Sequence, residues 1–186
     1  DWDGDVNETI TVSLPAVEPP NIGGIFTTNS QTGVVLSKYQ NLTGGWEGNM
    51  VLLEDTQIDP ALWIDYQFGG SLYNQYVQPS NNSGSGGQLS VPSINQLQSM
   101  YQERNILEAA EGFTAFEDEV YWSSTNGSSI TFADEGYLAE VFEDDGTGLG
   151  RARLIFSFKT EATSVNQQIA DKDLLAFRGF QDIVPG

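Results

Sequence analysis

The strongest helix signal in this chain lies in residues 91–107, where apolar side chains recur at intervals of three and four. These positions are Ile94, Leu97, Met100 and Tyr101. Ser93 precedes them and Gln96 follows three residues later, which is the spacing of a capping box at a helix N-terminus. The sequence therefore predicts one clear helix, and the rest of the fold has to be built from other elements.

The other patterned segments are short and alternate between apolar and polar residues, which is typical of strands. Turn-forming residues separate them, and the chain has 20 glycines and 7 prolines. The predicted strands cover residues 9–14, 25–28, 34–37, 129–132, 137–142, 151–158 and 174–180. Residues 46–87 are predicted to be irregular, with a flexible loop at residues 79–87. The predicted fold class is therefore α+β, with a small, mostly antiparallel sheet, one clear helix and long loops.

The chain is predicted to form one domain with an N-terminal extension, because 186 residues suffice for a single hydrophobic core. Prolines at positions 15, 19 and 20 follow the first predicted strand. We therefore assign residues 1–22 to an N-terminal strand and proline-rich connector, and residues 23–186 to the main domain. That domain is predicted to open with a hairpin whose turn is residues 29–33.

The charge balance restricts the partners that this chain can bind. It has 26 Asp and Glu residues against 7 Lys and Arg, for a formal net charge of −19. This charge repels phosphate backbones and anionic lipid surfaces, so we expect no nucleic-acid partner. No stretch approaches the roughly 18 apolar residues that span a bilayer, and we expect no membrane insertion.

The residue inventory also opposes an enzymatic role. The chain contains no histidine and no cysteine, which removes Ser-His-Asp and Cys-His catalysis, the usual zinc sites and disulfides. Ser123, Ser124 and Thr125 resemble a nucleophile cluster, but no nearby base is available to activate them, so a hydrogen-bonded turn is favoured. We predict a non-enzymatic protein with no catalytic residues and no cofactor.

Calcium is the one cation that the sequence leaves open. Asp1, Asp3 and Asp5 have the alternate spacing that starts a calcium-binding loop, but Val6 and Val12 occupy the positions of the loop glycine and the bidentate glutamate. The favoured interpretation is a solvated acidic turn, with calcium as the alternative. The same two interpretations apply to the predicted glycine-rich turn at residues 144–150.

Four motifs, in order, resemble a bacterial and phage family of C-type-lectin-like domains. This group includes the Fibrobacter major paralogous domain and the C-terminal domain of collagen-like adhesins. VPSINQLQSMY (residues 91–101) is similar to the family's LPS-x-x-EL-x-x-MY segment, and YWSST (residues 121–125) is its best-known signature. NIGGIFTTNSQTGVVLS with the later GGW is similar to the opening hairpin, and LLAFRGF to the closing strand. The resemblance covers roughly residues 23–180.

The resemblance implies a C-type-lectin-like fold in a surface-exposed protein that is often a trimer. Members bind glycans, glycosaminoglycans or host receptors. We therefore expect an extracellular module, at a phage fibre tip or on a bacterial surface adhesin, that binds a cell-surface glycan or protein receptor. The expected assembly is a homo-oligomer, with a trimer favoured. The alternative is a structural virion decoration or filament subunit that uses the domain to contact neighbouring subunits.

The predicted ligand-binding surface lies after YWSST and comprises Asn126, Tyr137, Arg151 and Arg153. The two arginines alternate along a predicted strand, so their side chains should point to the same side. In so acidic a chain they are expected to form ion pairs, within the chain or across a subunit interface. Capture of an acidic ligand is the other interpretation. Tyr121 and Trp122 of YWSST are expected to pack in the core rather than to stack on a sugar.

Overall fold

The structure is a computed structural model, which describes residues 8–56, 59–81, 87–125, 128–132, 141–143 and 148–169. Within these ranges the chain forms an α+β fold whose sheets are mostly antiparallel, as predicted. The strands are β1 (Glu8–Leu14), β2 (Ile25–Thr28), β3 (Gln31–Gln40), β4 (Trp46–Leu52), β5 (Ala61–Leu62), β6 (Gln88–Ser90), β7 (Val120–Trp122), β8 (Ser128–Thr131), β9 (Val141–Glu143), β10 (Leu149–Gly150), β11 (Ile155–Thr160) and β12 (Thr163–Ile169). The helical elements are a 3₁₀-helix (Trp63–Tyr66), a π-helix (Tyr73–Val77), α1 (Gln78–Asn81), α2 (Ile94–Gln102) and α3 (Arg104–Glu108). In the described part of the chain, none of these helices has the length and hydropathy that crossing a membrane requires.

A five-stranded antiparallel sheet of order β2-β3-β4-β11-β6 forms the centre of the molecule. The predicted opening hairpin is confirmed as β2 and β3, but its turn is shorter than expected. Asn29 and Ser30 both have positive φ, of 50° and 63°, as the two central residues of a type I′ turn require. The return strand therefore begins at Gln31, three residues earlier than predicted.

Both faces of this sheet are covered by apolar side chains. Successive residues of a strand point to opposite faces, and neighbouring buried pairs divide between two core clusters accordingly. Val34 and Ile155 belong to one cluster, with residues of α2 and α3. Val35 and Phe156 belong to the other cluster, with residues of the 3₁₀- and π-helical segment. The sheet is thus a central layer between two apolar cores.

The predicted helix is present but interrupted. Ser93 and Gln96 form the predicted capping box, with Gln96 N donating to Ser93 Oγ at 3.3 Å and Ser93 N donating to Gln96 Oε1 at 2.9 Å. The prediction of one helix over residues 91–107 is wrong, because Glu103 (φ −94°, ψ 11°) leaves helical geometry and separates α2 from α3. The next residue is Arg104, one turn beyond the buried Met100, and its guanidinium binds the carbonyl oxygen of Phe116 at 2.9 Å.

In residues 46–160, five of the described strands were missed and one was displaced; the missed strands are β4, β5, β6, β7 and β10, and the displaced strand is β11. β4 lies at the centre of the sheet although residues 46–87 were predicted to be irregular, and Gly48 explains the weak signal. It faces a bulge in β3, where a Cβ would collide with the carbonyl oxygen of Ser37. The strand predicted over residues 151–158 instead begins at Ile155 and continues to Thr160.

The other strand predictions have separate outcomes. The strand at residues 129–132 is confirmed as β8. The prediction at residues 137–142 overlaps β9, with residues 137–140 outside the described residues, and the prediction at residues 174–180 lies wholly outside them. The N-terminal strand is confirmed as β1, which pairs with β12 across the predicted boundary at residue 22.

The YWSST segment and the helix motif contact each other directly. Ser124 N donates to Pro92 O at 2.8 Å, and Ile94 N at the start of α2 donates to Thr125 Oγ1 at 3.0 Å. Tyr121 and Trp122 are fully buried, which confirms their predicted role in the core. The YWSST strand and the helix motif therefore form one structural unit.

Candidate functional site

An open cleft of about 670 Å³ lies beside the loop that follows β4. Its lining residues are Glu54, Asp55, Thr56, Asp59, Tyr76, Thr114, Ala115, Glu117 and Arg151. A second cavity of about 450 Å³ shares Glu54, Asp55, Thr56 and Tyr76 with it. These volumes lie in the range of small-ligand sites, which is roughly 300–1,000 Å³. The two cavities therefore form one candidate ligand-binding region around a shared set of side chains.

Separate parts of the chain supply the walls of the cleft. Thr56 N donates to Ala152 O at 3.1 Å, which fastens the loop after β4 to the segment before β11. Tyr76 comes from the π-helix, whose next residue, Val77, is buried in the core beneath. π-helical turns are uncommon and often accompany functional sites. The wall that carries Tyr76 is therefore anchored from below while the tyrosine ring lines both cavities.

Asp55 is the centre of the polar network at the base of the cleft. One carboxylate oxygen, Oδ1, accepts from Nε of Arg153 at 2.5 Å. The other, Oδ2, accepts from the hydroxyl of Tyr121 at 2.9 Å and lies 3.8 Å from Nη1 of Arg151. The carboxylate is only 11% exposed. Its position is thus fixed by three side chains from distant parts of the sequence.

Arg153 lies beneath the cleft and is fully buried. Its guanidinium donates to the carbonyl oxygens of Leu53 and Thr114, each at 3.0 Å. The same group lies 4.7 Å from the ring centroids of both Phe113 and Phe116. A buried cation is stable only when charge and hydrogen-bond partners surround it, and these contacts supply both. Arg153 thereby ties the loop after β4 to the loop after α3.

Tyr121 is the third member of this network. Burial, followed by the negative charge of Asp55, raises the pKa of its hydroxyl well above the ordinary value. The hydroxyl therefore stays protonated and donates a hydrogen bond to Asp55, while it accepts a hydrogen bond from Glu117 N at 3.1 Å. Glu117 also lines the cleft, so the buried tyrosine positions part of the cleft wall.

The cleft is electrostatically negative. Four carboxylates line it, from Glu54, Asp55, Asp59 and Glu117, against the single guanidinium of Arg151. That guanidinium is itself paired, with Nε donating to Oε2 of Glu119 at 2.7 Å. A site with this balance attracts neutral or cationic ligands that donate hydrogen bonds, and it repels anions.

The predicted ligand residues have different placements. Arg151 lines the cleft, whereas Arg153 lies under it with no exposed surface. Both arginines reach Asp55, so the first of the two predicted alternatives, ion pairs within the chain, is present. Neither arginine lies on the strand from which their common side was predicted, because β11 begins at Ile155. Asn126 and Tyr137 lie outside the described residues, as do the aspartates at positions 1, 3, 5, 144 and 145 that were considered for calcium.

Sequence reasoning missed Asp55 and Tyr76. Asp55 lies three residues after Leu52, the last residue of β4, and that position was its only local signal. Nothing in the residues around Tyr76 indicates a π-helix.

Among the residues that the structure describes, no group of three or more acidic side chains is arranged to hold a metal ion. No family model matches this chain, and neither a curated protein nor a solved structure is significantly similar to it.

Proposed function

We propose that this chain is a non-enzymatic attachment module that binds a neutral, hydroxyl-rich glycan in the cleft beside Asp55. The observation that carries the proposal is the cleft itself, whose base is held in place by the buried Arg153, Asp55 and Tyr121. A site whose walls are fixed before binding loses little conformational freedom when a ligand enters. Such a site suits recognition of a ligand by many weak hydrogen bonds.

The lining residues favour sugars over other small ligands. Carboxylates such as those of Glu54 and Asp59 accept hydrogen bonds from hydroxyl groups, and Thr56 and Thr114 present further polar surface. Tyr76 offers an aromatic ring with a polar end, which suits a partly apolar sugar face. The negative charge disfavours glycosaminoglycans and other anionic glycans among the ligands that the family resemblance implies.

The proposal includes a C-type-lectin-like fold and an extracellular location, on a virion or a bacterial cell surface. The mutual docking of the YWSST strand and the helix motif supports the fold, because these are the segments that carry the family resemblance. The absence of histidine and cysteine from the sequence supports a binding role over catalysis. Capture of an acidic ligand by Arg151 has less support, since Glu119 and Asp55 already neutralise that side chain.

A glycan array of neutral, amino-sugar and sulfated oligosaccharides tests the proposal. We expect the 186-residue chain to bind neutral or amino-sugar glycans and not sulfated ones. Tyr76→Ala and Arg151→Ala should each weaken binding about ten-fold or more, as loss of a central contact does. Tyr39→Ala is the matched control, because Tyr39 is an exposed tyrosine that pairs with Glu47 near the start of β4, whereas the cleft lies beside the loop after the end of that strand.

Three results would count against this assignment. Binding restricted to sulfated glycans would contradict the electrostatic argument. Equal binding by the Tyr76→Ala and Tyr39→Ala variants would show that the ligand lies elsewhere. Release of reducing sugar from a bound polysaccharide would overturn the non-enzymatic role.

A further inference from the structure

The second cavity, of about 450 Å³, differs from the cleft in the character of its walls. Besides the four residues that it shares with the cleft, six others line it: Gln31, Thr32, Leu52, Leu53, Leu89 and Leu154. Among the described residues, no leucine lines the cleft itself. The region around Asp55 thus continues from a polar cleft into a cavity with an apolar wall.

Neighbouring strands of the central sheet hold most of this leucine wall in place. Leu52 ends β4, and its backbone N donates at 3.0 Å to the carbonyl oxygen of Leu154, which directly precedes β11. Leu89 lies in β6, where it pairs with Phe156 of β11. Leu52, Leu89 and Leu154 all pack in the same core cluster. The wall is therefore a part of the hydrophobic core that reaches the cavity, and it is fixed before a ligand enters.

Polar side chains accompany the leucines and are more exposed than the core behind them. Gln31 begins β3 and is partly exposed, and Glu54, which lines both cavities, is exposed. The amide of Gln31 can donate a hydrogen bond to a carbonyl oxygen, and the carboxylate of Glu54 accepts one from an N–H group. An acetamido group carries a methyl group, a carbonyl oxygen and an N–H side by side. The cavity offers a partner of matching chemistry for each of the three.

We infer that the second cavity is a specificity subsite that takes the acetamido group of an N-acetylated amino sugar. It rests on the glycan binding proposed for the cleft and names the class of glycan. The methyl group contacts the leucine wall, while Gln31 and Glu54 bind the amide. A hydroxyl group or a free amino group in the same place buries no apolar surface against the leucines. The volume of the cavity, which lies in the range of small-ligand sites, leaves room for the sugar ring that carries the substituent.

Titration of the 186-residue chain with matched glycans at pH 7 tests this specificity. Each set keeps one sugar configuration, which is gluco, galacto or manno, and changes the group at carbon 2 between acetamido, hydroxyl and free amino. We expect the acetamido member of the bound set to have a Kd at least about ten-fold lower than the hydroxyl member, since a methyl-sized group in an apolar pocket discriminates by about that much.

Two variants assign the preference to this cavity. Leu52→Ala removes part of the apolar wall, and Gln31→Ala removes the amide donor. Each should lose most of the acetamido preference and leave the Kd of the hydroxyl member nearly unchanged. Leu62→Ala is the matched control, because Leu62 is a leucine that lines neither cavity. Near-ultraviolet circular dichroism, which reports on the buried Trp122, checks that each variant keeps its core.

Every outcome bears on the subsite. Loss of the preference in Leu52→Ala and Gln31→Ala, but not in Leu62→Ala, supports it. Equal affinity for the acetamido and hydroxyl members would overturn it and leave glycan binding in the cleft intact. A preference for the free amino member would overturn it as well, since charge would then select the ligand. The same holds for an acetamido preference that either cavity variant retains or that the control also loses. Binding of none of these glycans would overturn the subsite together with the proposed function.

Discussion

Replacing Arg153 with methionine removes the buried cation beneath the cleft and keeps much of the side chain's apolar volume. The change leaves the carboxylate of Asp55, which is 11% exposed, without its closest charge partner. It also leaves the carbonyl oxygens of Leu53 and Thr114 without the guanidinium donors. Breaking one side of a buried pair costs about 3–5 kcal/mol, and we expect a loss near 4 kcal/mol in the free energy of unfolding. That is a large share of the roughly 5–15 kcal/mol by which such domains are stable.

Urea unfolding followed by tryptophan fluorescence measures this loss. With an m value of about 2 kcal/mol/M, a loss of 4 kcal/mol lowers the midpoint by about 2 M. Lys159→Met is the control, because Lys159 pairs with the exposed Glu161 outside this network and should cost much less than Arg153→Met. A loss below about 1 kcal/mol for Arg153→Met would refute the reasoning, since it would mean that Asp55 needs no buried partner.

The double variant Asp55→Asn/Arg153→Met separates the cost of the stranded charge from the cost of the lost hydrogen bonds. Asparagine keeps an oxygen that can accept from the hydroxyl of Tyr121, but it leaves no unpaired carboxylate. We expect the double variant to recover at least about half of the stability lost in Arg153→Met. If the two changes are simply additive, the contact between Asp55 and Arg153 is not what holds the base of the cleft.

Four further substitutions test three separate features: the hydroxyl of Tyr121, the contact of Thr125 with α2, and the turn at Asn29 and Ser30. The pKa of Tyr121 is raised in the folded state, so above about pH 10 the unfolded chain loses this proton first. The contribution of Tyr121 to stability is therefore complete below about pH 10 and falls above it by about 1.4 kcal/mol per pH unit. Urea midpoints measured from pH 9 to 11 should fall less steeply in Tyr121→Phe than in the wild type. Thr125→Val removes the hydroxyl that accepts from Ile94 N, and it should lower the free energy of unfolding in urea by about 1 kcal/mol. An unchanged free energy of unfolding would mean that YWSST and the helix motif dock by apolar contact alone. Ser30→Gly relieves a positive φ of 63° and should add about 1 kcal/mol by thermal unfolding, while Asn29→Ala should lower stability.

Local signals in the sequence predicted the local elements. The spacing of Ser93 and Gln96 indicated the start of α2, and the apolar alternation of residues 9–14 indicated β1. β4 gave no such signal, because a central strand with both faces buried loses the alternation, and Gly48 and Asn49 interrupt its apolar run. The break at Glu103 was equally hidden, since apolar spacing continues across it to Leu107.

The candidate site was predictable only in part, because its contacts join distant residues. Sequence reasoning placed Arg151 and Arg153 on one side and expected ion pairs, but it could not name their shared partner. Asp55 lies 98 residues from Arg153 along the chain, and no local pattern connects the two. Tyr76 reaches the cleft through a π-helix, whose wide turn depends on the packing around it rather than on its own residues.

The net charge of −19 bears directly on the ligand proposed for the cleft. An excess of carboxylates in the cleft restricts the ligand to neutral or cationic groups, and direct hydrogen bonds to hydroxyls depend little on salt. Salt screens the repulsion between carboxylates and an anionic ligand over a Debye length of about 8–10 Å at physiological ionic strength. Added salt should therefore leave binding of a neutral glycan nearly unchanged and reduce the discrimination against an anionic one.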